Sequence, residues 1–400
     1  MSGRTKYDAL VVGARCAGAA TAMLMARRGL RVLAIDRGGY GADTMSTHAL
    51  MRGGVFQLHR WGVLSRIVAA GTPAVRGTAF QYGDDVLEVA VKPSHGVGAL
   101  YAPRRTVLDS ALVDAAREAG VEVRHGHTLV ELIRSPSGRV RGAVVLDAEG
   151  GRSEIAADLV VGADGVGSTV AKQVGTPLLR EARHTSAIVY GHWSGLRAEA
   201  YRWYYRPGLS AGVIPTNAGR HCVFAAVPPA RFRDAVRRDL SAGYHRVLEE
   251  ISPELAVSVA ASRLENRFWG FAGRKGFMRQ ACGPGWALVG DAGYFKDPLT
   301  AHGITDALRD AELLAAAAAR GLDAGFAGYA AARDELSLPL FEATDAIASF
   351  AWDLDTLQEH HRALNAVMKR EVEHLAALDS VSGDFRSPMG APAQQEEMAA

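Results

Sequence analysis

Tyr7-Asp8-Ala9-Leu10-Val11-Val12-Gly13-Ala14-Arg15-Cys16-Ala17-Gly18 is the stretch that decides how this chain folds. Ala9–Val12 is a short apolar run stopped by glycine, the pattern of a strand buried on both faces in a parallel sheet. The next segment, Ala17–Arg28, is rich in Ala, Leu and Met and suits a helix, with Gly29 as its C-cap. Arg31–Ile35 is a second apolar run and closes at Asp36. Strand, helix and strand within about 30 residues make a βαβ unit. Its turn occupies the place of G-x-G-x-x-G. Gly13 permits the tight turn, and Gly18 lets the helix pack closely on the strand. Ala14, Cys16 and Ala17 lie where backbone N–H groups and the helix dipole meet a pyrophosphate. Asp36, 18 residues past Gly18, stands where a carboxylate accepts hydrogen bonds from a ribose hydroxyl, with Arg37 beside it. Arg15 replaces the middle glycine. A side chain there limits the approach of backbone to phosphate, although the arginine fork suits that anion. Taken alone, the loop fits a dinucleotide of unspecified kind or only a glycine-punctuated turn.

Working outward, 400 residues fit roughly two domains, and the apolar and charged contents are those of an ordinary soluble globular protein. A net charge of +2 implies no general attraction to nucleic acid or anionic membrane. Only Lys6, Lys92, Lys172, Lys275, Lys296 and Lys369 are lysine; the other basic residues are arginine, a bias that fits a GC-rich bacterial genome. Cys16, Cys222 and Cys282, with no CxxC, make neither a disulfide framework nor a zinc site, so no metal is expected and a reducing cytoplasm is the simplest location. Met1–Tyr7 precedes no signal-peptide core, and no run of about 18 uncharged apolar residues predicts a membrane span. Ala311–Ala319, interrupted by Glu312, reads as a buried helix.

Further along, Thr106–Ala119 reads as a helix capped by Gly120. Val121–Val123, Thr128–Ile133, Val140–Leu146 and Ala157–Val161 read as strands, with a turn at Pro136-Ser137-Gly138. From Ser186 to Val227 the chain becomes aromatic and turn-rich (Tyr190, Trp193, Tyr201, Trp203, Tyr204, Tyr205, Phe224), which predicts antiparallel strands of a second domain. Pro228–Ile251 reads as helical. Trp286–Val289 reads as a strand returning to the first domain, Ile304–Arg320 as a long helix and Phe341–Leu378 as largely helical. The segment from Ser380 has the composition of a disordered tail.

Two later motifs resolve the ambiguity of the loop. Asp158–Val161 leads into Gly162-Ala163-Asp164-Gly165, and Gly290-Asp291-Ala292-Gly293 follows the Trp286–Val289 strand. Asp297-Pro298-Leu299-Thr300-Ala301-His302-Gly303 then enters the long helix. Singly, Asp164 is a turn residue and Asp291 an N-cap. In this order, the three motifs resemble the FAD-dependent monooxygenases of the p-hydroxybenzoate hydroxylase type, with their relatives the flavin-dependent halogenases and geranylgeranyl reductases. The resemblance covers the chain to about residue 330.

The resemblance implies an α/β fold. A Rossmann-type, glutathione reductase-like FAD-binding domain would use residues 1–75, 100–180 and 280–330. A second, α+β substrate domain built on an antiparallel sheet would use 76–99 and 181–279. C-terminal helices at 331–379 and a tail at 380–400 would follow. It further implies that Asp291 holds the ribityl chain of FAD, that Gly290 lets backbone approach it, and that Pro298 lies beside the ring. Gly303 and Ile304 would aim a helix N-terminus at the flavin N1–C2=O edge, where the reduced ring carries negative charge. Asp164 would support the pyrophosphate region, and Arg105 matches a family arginine near the cofactor chain. Lys172 stands where an arginine is usual. His48 and His302 are the candidate acid–base groups near the ring.

The implied activity is hydroxylation or epoxidation of a small aromatic or polyketide-like molecule of secondary metabolism, through a flavin C4a-hydroperoxide protected from water. NAD(P)H would supply electrons directly or through a partner flavin reductase. The Tyr190–Tyr205 aromatics either line the substrate pocket or pack the sheet. A halogenase would carry a Trp-x-Trp-x-Ile-Pro segment, of which only Val213-Ile214-Pro215 is present, and a serine where Ala301 stands. A geranylgeranyl-reductase-like alkene reductase would need an extended apolar tunnel.

Overall fold

The computed structural model describes residues 6–265, 267–321 and 324–381; the 380–400 tail lies almost wholly outside them. The opening unit is β1 (Lys6–Val12), α1 (Cys16–Ala26) and β2 (Val32–Asp36). β1 runs parallel to β2, with Ala9 opposite Val32 and Val12 opposite Ile35. On its other side β1 runs parallel to Arg152–Gly162, from Lys6 opposite Ala156 to Val12 opposite Gly162. The strand therefore begins three residues before its apolar run, because ladder pairing continues past the buried positions. Glu122–His125 extends the sheet beyond β2, and Trp286–Leu288 extends it beyond Arg152–Gly162, all parallel. The Thr128–Arg134 and Val140–Leu146 hairpin joins it antiparallel. This is a parallel dinucleotide-binding sheet, and its strands are apolar on both faces because both are covered.

Strand alternation sorts the core. Ala9, Val11, Val32, Ala34, Leu159 and Val161 face α1 and the Arg105–Glu118 and Gly303–Ala318 helices. Leu10, Val12, Leu33, Ile35 and Val160 pack instead with the hairpin and Val170.

A second sheet orders its strands Arg263–Leu264, Ala187–Ser194, Arg220–Val227, Leu209–Thr216, Tyr201–Arg206, Gly77–Tyr82 and Asp85–Ala90. It is antiparallel except where Gly77–Tyr82 runs parallel to Tyr201–Arg206. Its aromatics divide by the same alternation. Tyr190, Tyr201, Trp203, Tyr205 and Phe224 join the core that contains α1. Trp193 and Tyr204 face the other way, onto Tyr244, Val247 and Leu248 of the Leu240–Ile251 helix.

The C-terminal part is helical as expected, in two helices, Phe326–Ala348 and Leu354–Val381. The break falls at Phe350, whose φ of 54° no continuous right-handed helix accommodates. Pro228–Ile251 is likewise interrupted, with a short helix and a π-turn ending at Val236 before the Leu240 helix, which Asp239 caps. Among the described residues no helix is long and apolar enough to cross a membrane.

Candidate functional site

The turn after β1 is built on close backbone contact. Gly13 has φ 101°, and a Cβ there would lie 2.4 Å from the Ala163 carbonyl oxygen. A Cβ on Gly18 would lie 1.7 Å from the Gly13 carbonyl oxygen. The middle motif thus meets the first motif at Ala163. Asp36 fixes the same loop: Oδ2 accepts from the Ala14 N–H at 2.8 Å and Oδ1 from the Gly38 N–H at 2.7 Å. Its oxygens therefore brace the turn. The Arg15 side chain makes no capping bond to α1, although Asp109 takes the Cys16 N–H, and an anion at this end would meet the positive helix terminus. Arg15 lies over a narrow pocket lined by Ala14, Asp36, Gly39, Gly41, Asp109 and His125. Its guanidinium is 4.0 Å from Asp109, and its buried Nη1 has no hydrogen-bond partner. Arg37 is exposed.

Arg105 is not a surface residue. It is buried, grips Asp109 through Nε at 3.1 Å and Nη2 at 2.9 Å, and sets Nη2 3.5 Å from the Cys16 sulfur. Burial pushes the Cys16 thiol up to about 11, so it sits in the turn as a small inert side chain. Asp164 accepts from the Ser168 hydroxyl at 2.5 Å, the Thr169 N–H at 2.6 Å and the Val170 N–H at 3.2 Å. It caps the short Thr169–Val174 helix and so fixes the turn that carries Ala163. Lys172 is exposed on that helix.

At the other end, Gly290 has φ 56°, and an added Cβ would meet Ala17 Cβ and Ala307 Cβ, each at 3.2 Å. Glycine here brings the Gly290-Asp291 turn against both α1 and the Gly303–Ala318 helix. The Asp291 carboxylate accepts no hydrogen bond from any described residue. Burial pushes it up to about 6, while Lys296 and Arg105 pull it down. A half-buried carboxylate that accepts from no described residue fits a ligand chain rich in hydroxyls. Pro298 is half-buried in the turn before the long helix. That turn is anchored by Asp297, which accepts from the Ser186 N–H at 2.6 Å and hydroxyl at 2.7 Å. Gly303 is exposed and an added Cβ there meets nothing, Ile304 is half-buried, and no side chain caps this helix. The helix N-terminus is therefore open. An Arg15 nitrogen with no hydrogen-bond partner, an Asp291 carboxylate that accepts from no described residue and two helix N-termini without an N-cap side-chain bond fit a dinucleotide carrying a hydroxylated chain, as FAD does.

His48 and His302 differ from free acid–base groups. His48 is buried with φ 69°, and its Nε2 lies 2.9 Å from His192 Nε2. The nearest helix starts only at Arg52, so His48 is no helix-start residue. Burial, reinforced by the facing His192, holds His48 well below the ordinary imidazole value, and burial takes His192 down to about 4. Both rings are neutral at pH 7, and one donates to the other. His302 is buried at the head of the long helix, with Nε2 2.8 Å from Glu371 Oε2 and Nδ1 without a partner.

Behind His302 lies an ionic cluster that sequence reasoning missed. Arg309 bonds Asp306 at 2.9 Å, Glu371 at 2.8 Å, Asp310 at 3.0 Å and the Ser337 hydroxyl at 2.7 Å. Lys296 pairs with Asp306, and Asp310 accepts from the Gly290 N–H at 3.1 Å. All these side chains are buried. His302, Asp306 and Glu371 come as close as metal ligands do, but Lys296 and Arg309 already hold the carboxylates. The only signal in the sequence was a density of charge, Asp306, Arg309, Asp310 and Glu312, along an otherwise apolar helix.

The chain matches the family described as FAD binding domain over residues 6–333, and it belongs to that family. It is a flavin-dependent oxidoreductase. Among curated proteins it is 29% identical over 345 residues to menaquinone reductase of Mycolicibacterium smegmatis, covering 78% of this chain and 76% of that protein. It is 27% identical to digeranylgeranylglycerophospholipid reductase of Methanosarcina mazei, covering 80% and 77%. Among solved structures, the flavin-dependent brominase Bmp2 superposes with TM-score 0.76 at 18% identity, covering 90% and 93%. PqsL of P. aeruginosa in complex with 2-aminobenzoylacetate gives 0.75 at 20%, covering 91% and 100%. These two establish the shared fold.

Proposed function

We propose that this oxidoreductase is a monooxygenase that hydroxylates or epoxidises a small, largely apolar organic molecule. The observation that carries the reading is the inner face of the second sheet. Tyr190, Tyr201, Trp203, Tyr205 and Phe224 face the same core as α1 and the Gly303–Ala318 helix. The polar interruption beside Tyr190 is the neutral His48–His192 pair. Such a wall would keep water from a substrate held between the sheet and the flavin helix, as oxygen transfer requires. Bound FAD supplies the redox chemistry, with electrons from NAD(P)H directly or through a partner reductase.

The chain's own residues bind and orient. The Gly13–Gly18 turn, with Arg15 and Asp36, holds the dinucleotide end. Asp291, backed by Arg105, accepts from the ribityl hydroxyls. Pro298 and the N–H groups of Gly303 and Ile304 would lie beside the ring, where their dipole would favour its reduced, anionic form. Asp291→Ala is expected to lower the FAD retained through gel filtration at least tenfold; unchanged occupancy would remove Asp291 from the site. Because Asp291 is raised in the folded chain, the FAD-free protein gains stability as pH falls through about 6. Thermal unfolding of Asp291→Ala apoprotein should lack that gain.

Supplied with 18O2, NAD(P)H and a reductase, the enzyme should return product carrying label from O2. A saturated, unlabelled product would instead favour alkene reduction. That second reading is supported by the digeranylgeranylglycerophospholipid reductase of Methanosarcina mazei, aligned over 77% of its length.

A further inference from the structure

The buried cluster behind His302 has an unbalanced charge. Lys296 and Arg309 are two cations; Asp306, Asp310 and Glu371 are three carboxylates. Burial lowers His302, so the imidazole is neutral in the resting protein. Burial would raise the Glu371 carboxyl, but His302 and Arg309 outweigh it and keep Glu371 ionised. Burial pulls Lys296 down to about 7, so near neutral pH the cluster carries at least one net negative charge. Glu371 fixes the imidazole by accepting from Nε2 at 2.8 Å. Nδ1 is then the free position, buried and without a partner, on the residue just before Gly303 and Ile304. Glu371 comes from the Leu354–Val381 helix, beyond the residues matched by the FAD-binding family. The C-terminal helix therefore reaches the head of the flavin helix through one carboxylate.

We propose that His302 and Glu371 form a couple that takes up one proton when bound FAD is reduced, with Glu371 as the positioning residue. The inference rests on the reading that FAD seats its ring at Gly303 and Ile304. Two electrons arrive from a hydride donor and add negative charge beside a cluster that already has an excess of it. Opposite charge nearby favours a protonated imidazole, and low polarizability inside the protein strengthens the effect. The proton comes from water and forms a bond at His302 Nδ1; the Nε2–H bond to Glu371 stays intact, and no other bond breaks. The charged groups that act on the His302 imidazole are Glu371 from the C-terminal helix, Asp306 and Arg309 from the flavin helix, and Lys296 from the preceding turn. The Tyr294 ring lies under Lys296 and Arg309, at 5.1 Å and 5.7 Å.

The test is the pH dependence of the midpoint potential of bound FAD, measured without substrate on the holoprotein. The ordinary imidazole value is 6.5, and His302 lies below it while FAD is oxidised. Reduction raises it, so near neutral pH the wild type should take up one more proton per two electrons than Glu371→Gln or His302→Asn. Glu371→Asp should recover part of the difference. A purely structural Glu371 would change FAD retention and leave the proton count alone. Equal proton counts in wild type and both variants would overturn the proposal, as would a wild type with no additional proton. The experiment involves no oxygenated product, so its failure is distinct from failure of the labelling test. Seating of FAD is checked separately by Asp291→Ala.

Discussion

Gly18→Ala should yield protein that no longer retains FAD and unfolds at lower temperature. The added Cβ would sit 1.7 Å from the Gly13 carbonyl oxygen and 3.1 Å from the Ala163 side chain. Neither obstacle is a flexible tip. One is backbone, and the other lies on the neighbouring strand turn. Gly13, at φ 101°, cannot rotate away into ordinary space without moving the turn itself. Relief requires α1 to lift from β1, and overpacking of this kind typically costs about 1–3 kcal/mol. The ligand feels more than that, because lifting α1 displaces the N–H groups that would meet the pyrophosphate. Gly328→Ala is the matched control. Its added Cβ meets nothing within 4 Å, inside the Phe326–Ala348 helix. It should keep full FAD and gain roughly 0.5–1 kcal/mol from helix propensity. Flavin absorbance per protein after gel filtration, with thermal unfolding, reads both variants. Full occupancy in Gly18→Ala would mean that close helix–strand packing does not set the cofactor site.

The parallel sheet was legible because its signals are local. Apolar runs ending in glycine at Gly13 and Gly162, and a third run ending at Asp36, fixed strands, direction and spacing together. The antiparallel sheet was legible as a change of composition, but its pairing was not. Nothing local reveals that Gly77–Tyr82, more than a hundred residues earlier, runs parallel beside Tyr201–Arg206. The division of the aromatics into two faces follows from period two once the strands are placed. The C-terminal break was hidden because Ser349–Asp353 contains neither glycine nor proline. A left-handed phenylalanine makes the turn instead.

For the site, sequence reasoning located turns better than partners. Asp164, Asp291, Gly290 and Gly303 were singled out because their motifs, taken in order, resemble those of the FAD-dependent monooxygenases. Their hydrogen bonds depend on long-range placement. Asp164 caps a helix, whereas Asp291 accepts from no described residue. His48 gave no hint of its partner, since His192 lies 144 residues away in an apolar strand. Glu371 was invisible for the same reason: on a helix rich in charged residues, one buried glutamate reads like its exposed neighbours.

Arg309→Ala should be the most destabilising single change in the buried cluster, and its penalty should shrink in acid. The guanidinium holds Asp306, Asp310 and Glu371 apart and is itself fully buried. Its removal leaves three carboxylates facing Lys296 alone, and stripping one partner from a buried pair typically costs about 3–5 kcal/mol. Glu371→Gln keeps the shape and removes one of three negative charges, so it should cost less. The sign of the pH effect separates charge from cavity. In the wild type, Glu371 is held below its ordinary 4.5, so its contribution is present above that value and is lost as pH falls through the folded one. In Arg309→Ala the crowded carboxylates are raised in the folded state. The variant therefore regains stability as they protonate, between about pH 7 and about pH 5. Urea unfolding of both proteins at the two pH values measures the gap. A gap that stays constant or widens in acid would assign the loss to packing around an empty arginine site, and the cluster would no longer be the electrostatic foundation of the flavin helix.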